Sequence, residues 1–145
     1  MPNVANVLND KSDLSVYSIK KEATVIEAIR LMAEKGIGAL VVTDDDNYVI
    51  GIFSERDYTR KVALLERTSK DTTVSEIMTS QVFTVTKLSK VEDCLHIMTT
   101  QHLRHLPVVN EDKKLIGMVS IGDLVKATMD EQRRLIQQLE NYIAS

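Results

Sequence analysis

Residues 25–58 read VIEAIRLMAEKGIGALVVTDDDNYVIGIFSERDY, and the chain contains a second version of this segment. A shift of 66 residues aligns it without gaps with residues 91–124, VEDCLHIMTTQHLRHLPVVNEDKKLIGMVSIGDL. Nine of the 34 aligned positions are identical, whereas ordinary residue usage gives about two by chance. The chain therefore contains an internal duplication.

The pattern within each copy predicts a strand, a helix, two further strands and a second helix. Apolar residues recur at i, i+3, i+4 and i+7 from Val25 and again from Val91, which predicts one amphipathic helix in each copy. The short β-branched runs GALVVT and YVIGIF, and later RHLPVV and KLIGMV, flank polar turns and predict two hairpins. The remaining strand is expected before each helix, at residues 16–19 and 82–85.

The last helix is predicted to be unusually long. It begins at Ser120, as the matching helix begins at Ser54, and it contains no proline and no glycine after Gly122. One face of its far half stays apolar through Leu135, Ile136, Leu139 and Ile143. We expect this face to form a homodimer contact; fraying of the terminus or packing on the first copy is the alternative.

Composition narrows the class of protein. The 145 residues carry a net charge of −3, which offers no basic face to duplex nucleic acid. No run approaches the ~18 apolar residues of a membrane helix, and the first residues do not form a signal peptide. A cytoplasmic protein without nucleic-acid or membrane partners is expected. The single cysteine, Cys94, lies on an apolar helix stripe and is expected to be a buried hydrophobe.

The two aligned segments, with the leading TVSEIMT, resemble a tandem pair of cystathionine beta-synthase (CBS) domains, an arrangement called a Bateman module. The resemblance covers nearly the whole chain and leaves out the first few residues and the helix beyond about Met129. It implies an α+β fold of two β-α-β-β-α units, related by a pseudo-twofold axis and packed through their sheets, with two clefts. We divide the chain into repeat 1 at 1–65, a polar linker at 66–73, and repeat 2 with its extended helix at 74–145.

The resemblance also implies a function. In this family the clefts hold adenosine-containing ligands such as AMP, ADP, ATP, NAD or S-adenosylmethionine, and the module regulates an enzyme, channel or transporter. Since 145 residues leave no room for an attached enzyme, we expect a free-standing regulatory module with an unidentified regulated partner. The alternative is a dimeric interaction scaffold whose clefts are empty or vestigial.

The repeated GIFSERD and GMVSIGD segments supply the candidate ribose anchors. Asp57 and Asp123 are the predicted anchors and Ser54 and Ser120 their helpers, because an ionised carboxylate accepts hydrogen bonds from both hydroxyls of a ribose. Ser-x-x-Asp at a helix start is also a capping box. Both roles coexist if the serine caps the helix while the aspartate faces the ligand.

Further ligand contacts are expected around these anchors. Arg56, in the first helical turn, could bind a phosphate, while a surface charge is the alternative; Gly122 at the matching position brings no charge, so the two sites should differ. Thr24 and Thr84 could reach a phosphate or a base, while helix capping and strand propensity are the alternative explanations. By the resemblance, the start of the second strand of each copy lines an adenine slot, although Val41 stands where the second copy has Pro107. The slot residues are Ile37, Gly38, Ala39, Leu103, Arg104 and His105.

The sequence gives no support for catalysis. No nucleophile, base and orienting group converge in the pattern, and no P-loop motif is present. The three histidines, His96, His102 and His105, do not follow a metal-ligand spacing with carboxylates. A protein that is not an enzyme, with no required cofactor and no metal, is therefore expected.

Overall fold

The helices and strands follow the predicted order in the computed structural model, which describes residues 2–11 and 18–144. Residues 16 and 17 of the first predicted strand lie outside the described residues. The helices are α1 Val4–Asp10, α2 Val25–Lys35, α3 Glu55–Tyr58, α4 Val74–Ile77, α5 Val91–Gln101 and α6 Ile121–Ala144, with a π-helical turn at Thr59–Ala63. The strands are β1 Ser18–Lys20, β2 Ala39–Thr43, β3 Val49–Ser54, β4 His105–Val109 and β5 Leu115–Ser120. The predicted α+β fold is confirmed.

The described residues group into two compact units. Among the described residues, the central unit comprises 18–83 and Glu111–Ile116, and the terminal unit comprises 2–11, Thr84–Asn110 and 117–144. The short helix α4, which precedes the second copy in sequence, belongs to the unit that contains the first copy. Conversely, α1 belongs to the unit that contains the second copy. Each leading helix therefore packs with the copy that it does not precede.

A three-stranded sheet with the order β1-β2-β3 organises the central unit. β1 runs parallel to β2, and β2 pairs with β3 in an antiparallel hairpin that places Leu40 opposite Phe53. The amphipathic pattern predicted for α2 is confirmed, since Val25, Ala28 and Met32 are buried. The core of this unit is built from Val25, Ala28, Met32, Leu40, Val42, Phe53, Val62, Val74 and Ile77.

The terminal unit contains the hairpin β4-β5 and the helix α5. The apolar stripe of α5 is buried through Val91, Cys94 and Met98, as predicted. The strand expected at 82–85 is reduced to one parallel bridge between Val85 and Val108. The Val85 amide donates to the Pro107 carbonyl at 3.0 Å and accepts from the Val109 amide at 2.9 Å. The next ladder bond would need an N–H on Pro107, which proline lacks.

The predicted length of the last helix is confirmed. α6 spans 24 residues, and Leu124 near its start is buried. Its far half exposes apolar side chains to solvent, with Leu139 62% and Ile143 80% exposed. In the described part of the protein, no helix is both long and apolar enough to cross a membrane.

Gly51 and Gly117 have the same structural role in the two copies. Both are buried, Gly51 on β3 and Gly117 on β5, where a leading helix approaches closely. A Cβ on Gly51 would overlap the Met78 side chain just after α4 and lie 3.2 Å from the Thr79 carbonyl oxygen. A Cβ on Gly117 would lie 3.2 Å from Leu8 in α1. The repeated glycine therefore provides room for a leading helix.

Replacing Gly51 with alanine should lower the free energy of unfolding by about 1–3 kcal/mol, the usual cost of overpacking a core. Urea denaturation of both proteins measures the difference. Gly122→Ala is the matched control, because the new Cβ would meet Ser120 Oγ at an ordinary 3.7 Å and alanine favours a helix. A Gly51→Ala protein as stable as the wild type would contradict this account of the glycine.

Candidate functional site

In the central unit, the Ser-x-x-Asp segment lies where β3 ends and α3 begins. Ser54 is the N-cap of α3, and its hydroxyl accepts from the Asp57 amide at 3.2 Å. The Asp57 carboxylate in turn accepts from the Ser54 amide at 3.0 Å. The capping box, which the sequence allowed beside the role of ribose anchor, is therefore present.

The Asp57 carboxylate is buried, with 7% of the residue exposed. Besides the Ser54 amide, its Oδ2 receives the Ser54 hydroxyl at 3.2 Å. Its Oδ1 receives the Thr79 hydroxyl at 3.0 Å and lies 3.2 Å from the Lys61 ammonium. Lys61 also donates to the Ile77 carbonyl at 3.2 Å. The carboxylate thus joins α3 to the π-helical turn and to the segment after α4.

The terminal unit repeats the capping box at the start of α6. The Asp123 amide donates to Ser120 Oγ at 3.1 Å, and the Ser120 amide donates to Asp123 Oδ2 at 2.9 Å. The cation here comes from the residue that follows α1: Lys11 Nζ lies 3.0 Å from Asp123 Oδ2 and 3.0 Å from the Met118 carbonyl oxygen. The Asp123 side chain is 25% exposed.

Electrostatics keep Asp123 ionised and His105 neutral. Burial on its own would raise the pKa of Asp123, but hydrogen bonds from the Ser120 amide and the Lys11 ammonium hold that pKa below its usual value. Burial lowers the pKa of His105; the Asp123 carboxylate opposes this shift, and Lys11 and Arg104 add to it. At neutral pH the site therefore combines a carboxylate acceptor with an uncharged imidazole.

The predicted adenine-slot residues lie beside the capping boxes within each unit. In the central unit, the Glu55 amide donates to the Gly38 carbonyl at 3.0 Å. In the terminal unit, the Ile121 amide donates to the Arg104 carbonyl at 2.9 Å. Ile37, Gly38, Leu103 and His105 are half-buried, Ala39 is buried, and the Arg104 side chain is exposed. These bonds fix the start of the second strand to the start of the following helix.

The three other predicted ligand contacts lie on α3, at the start of α2 and beside the Val85 bridge. Arg56 is exposed on α3, next to Asp57. Thr24 is the N-cap of α2, where its hydroxyl accepts from the Glu27 amide at 3.3 Å. Thr84 is exposed and directly precedes the Val85 bridge. Their roles in ligand binding remain predictions.

A cavity of about 280 Å³ lies between α1 and α6 in the terminal unit. Asp123 reaches it, together with Lys11, and further charges come from both helices. Its lining consists of Val7, Asp10, Lys11, Asp123, Lys126, Ala127 and Asp130. Within residues 2–11 and 18–144, no group of three or more His, Cys, Asp and Glu side chains is placed to hold a metal ion.

The carboxylate partners Lys11, Lys61 and Thr79 were not predicted from the sequence. Lys61 follows Asp57 by one helical turn, a spacing that often brings opposite charges together, and so could have been found. Lys11 precedes Asp123 by 112 residues. Only the fold brings those two side chains together.

Comparison with known families agrees with this arrangement of two related units. The family profile described as "CBS domain" matches the chain twice, at residues 11–64 and 74–130. The chain belongs to the CBS domain family. The predicted resemblance is thereby confirmed for both copies.

Individual CBS domain proteins are similar over most of this chain. CBSX3 of Arabidopsis thaliana, described as mitochondrial, is 44% identical over 124 residues, which are 83% of this chain and 60% of that protein. The crystal structure of the CBS-domain containing protein ATU1752 from Agrobacterium tumefaciens is 36% identical, with a TM-score of 0.77 over 87% of this chain and 98% of that one. CBSX2 of Arabidopsis thaliana, crystallised in complex with AMP, is 26% identical, with a TM-score of 0.75 over 91% and 99%.

Proposed function

We propose that this CBS domain protein is a regulatory module that binds an adenosine-containing ligand and catalyses no reaction. The observation that carries the proposal is the repeated carboxylate at a strand-to-helix junction, in Asp57 and Asp123. Each carboxylate lies beside the start of a strand whose backbone is fixed to the same junction. A carboxylate suits the two hydroxyls of a ribose, and a strand start offers backbone groups to a base.

AMP is the first ligand to test, because the similar protein CBSX2 was crystallised in complex with it. ADP, ATP, NAD and S-adenosylmethionine share the adenosine group and are the other candidates. Binding would regulate a partner protein, as yet unidentified, by favouring the conformation with the higher ligand affinity. The proposed location is the cytoplasm, although the relative CBSX3 is mitochondrial.

A homodimer formed through α6 is part of this proposal. Leu135, Ile136 and Leu139 are 46%, 55% and 62% exposed on the far half of the helix. Side chains three and four positions apart share one helical face, so these residues and Ile143 form a continuous apolar strip. A second copy of α6 offers the same strip, which makes the contact self-complementary across a twofold axis.

Thermal melts with each ligand test the binding function. A ligand at about 100 times its dissociation constant stabilises the folded protein by about 2.7 kcal/mol, so at least one of the five should raise the melting temperature. Guanosine monophosphate is the control for a general nucleotide effect. Unchanged melting temperatures with all five ligands at millimolar concentration would contradict the proposal.

A second candidate function is a dimeric interaction scaffold. The exposed strip on α6 favours it, because such a surface can act without any small ligand. Under this function, ligands would leave the melting temperature unchanged, whereas removal of the strip would still alter the assembly.

A further inference from the structure

The apolar strip on α6 continues from the far half of the helix towards its start. Ile121, Val125 and Met129, in the first half, are 41%, 44% and 47% exposed. Steps of three and four residues stay on one helical face, and such steps lead from Ile121 to the end of α6. The positions on this path are Ile121, Val125, Met129, Gln132, Ile136, Leu139 and Ile143. A second copy of α6 therefore has an almost entirely apolar face to contact.

Charged residues follow one edge of this strip in an uneven order. Lys126, Arg133 and Glu140 lie seven residues apart, a spacing that returns to the same side of a helix after two turns. The side chains of Lys126 and Arg133 are 72% and 74% exposed, and each lies near Asp130 of the same helix, at 3.8 and 3.9 Å. Such exposed pairs are weak. The edge is therefore positive in its first part and negative at Glu140, which is also exposed.

The other edge of the strip is uncharged at the matching positions, which are Thr128, Leu135 and Tyr142. In a parallel pair of helices, the charged edge of one helix faces the uncharged edge of the other. Arg133 and Glu140 would then lie beside apolar side chains. In an antiparallel pair each edge faces its own copy in reverse order. The negative end of one charged edge then meets the positive part of the other, and Leu135 and Tyr142 meet across the second edge.

We propose that a second copy of α6 binds antiparallel to the first, with Glu140 of each copy beside the basic residues Lys126 and Arg133 of the other. This inference rests on the homodimer of the proposed function and adds its orientation and its charged contacts. A twofold axis perpendicular to the helices relates the copies, so every contact occurs twice. The starts of the two helices, with Ser120 and Asp123, then lie at opposite ends of the contact.

Distances between nitroxide spin labels on the full chain test the orientation. Gly122→Cys provides a labelling site near the start of α6, where a Cβ meets Ser120 Oγ at an ordinary 3.7 Å; the native Cys94 is buried. With a rise of about 1.5 Å per residue, antiparallel overlap of the strips separates the two labelled residues by about 35–45 Å, whereas parallel overlap leaves them about 10 Å apart. We expect the longer distance. The shorter one would overturn the antiparallel order.

Charge reversal tests the contacts between the copies, with sedimentation equilibrium as the measurement. Glu140→Lys should raise the dissociation constant of the dimer about tenfold, because two symmetric contacts change from attraction to repulsion. Adding Lys126→Glu and Arg133→Glu to that variant reverses both signs and should restore the constant to within about threefold of the wild type. Arg134→Glu is the matched control on the opposite face, where Arg134 bonds Glu131 of its own helix; it should change the constant less than about threefold.

The outcomes distinguish this inference from the proposed function. Suppose that the wild type is a dimer and becomes a monomer when the chain is cut after Asp130. If the labels then report the parallel distance, or if the triple variant stays as weak as Glu140→Lys, the antiparallel contact is overturned and the homodimer through α6 stands. If the wild type is a monomer, or if its dimer survives the truncation, the homodimer of the proposed function fails and the inference with it.

Discussion

Replacing Phe53 with alanine should lower the free energy of unfolding by about 3–5 kcal/mol, the usual range for a buried phenylalanine. Phe53 is fully buried on β3, opposite Leu40, within the core of the central unit. The loss comes from the removed apolar surface and from the cavity that close-packed neighbours cannot fill. Domains are stable by only about 5–15 kcal/mol, so the change should be conspicuous in urea denaturation.

Ile116→Ala is the control for Phe53→Ala. Ile116 is also a strand residue, on β5, but it is 39% exposed, so its truncation should cost less than about 1 kcal/mol. If the two variants proved equally stable, β3 would not form the core of the central unit as described.

Removing the chain after Asp130 should convert the proposed homodimer into a monomer. The molar mass measured by light scattering should then fall from that of two chains, each 16.3 kDa, to that of one chain. The physical reason is the loss of the apolar strip on α6, because the burial of apolar side chains away from water stabilises the contact between the two copies. Truncation leaves the start of α6 and its capping box at Ser120 and Asp123 intact.

A pair of single substitutions isolates the strip from the length of the helix. Leu139→Glu places a charge on the apolar strip and should dissociate the dimer. Gln137→Glu adds the same charge two positions earlier, on the opposite face, where Gln137 bonds Asn141 at 3.0 Å; the dimer should persist. Equal masses for these two variants and the wild type would contradict dimerisation through this face.

The helices could be predicted well from this sequence because each apolar pattern occurs twice in the duplicated segments. The apolar spacing from Val25 and Val91 specified two helices whose buried residues match the prediction. The long last helix followed from the absence of proline and glycine after Gly122, and it ends at Ala144. Such features depend on residues close together in the chain, so periodicity reports them.

Features set by distant residues could not be predicted in the same way. The duplication did not reveal that α1 and α4 each pack with the copy that they do not precede. The pairing of Lys11 with Asp123 depends on that exchange. The shortened strand at Val85 follows from Pro107, whose missing N–H matters only once the strand register is known.

The sequence predicted the capping boxes of the candidate site but not the side chains that surround them. The repeated Ser-x-x-Asp motif marked both carboxylates and allowed either a cap or a ribose anchor. The structure contains the cap in both copies, and the anchor remains a proposal. The different donor counts around Asp57 and Asp123 arise from tertiary contacts, which is why sequence comparison alone treated the two residues as equivalent.

Calorimetric titration of the full chain with AMP, beside 2′,3′-dideoxy-AMP, tests whether the protein recognises the ribose of an adenosine ligand. We expect saturable binding of AMP and at least tenfold weaker binding of the analogue, because the analogue lacks the two hydroxyls that would donate hydrogen bonds to a carboxylate. Equal affinity for both compounds would contradict ribose recognition by the Ser-x-x-Asp carboxylates. No binding of AMP, ADP, ATP, NAD or S-adenosylmethionine at millimolar concentration would contradict the adenosine-binding function as a whole.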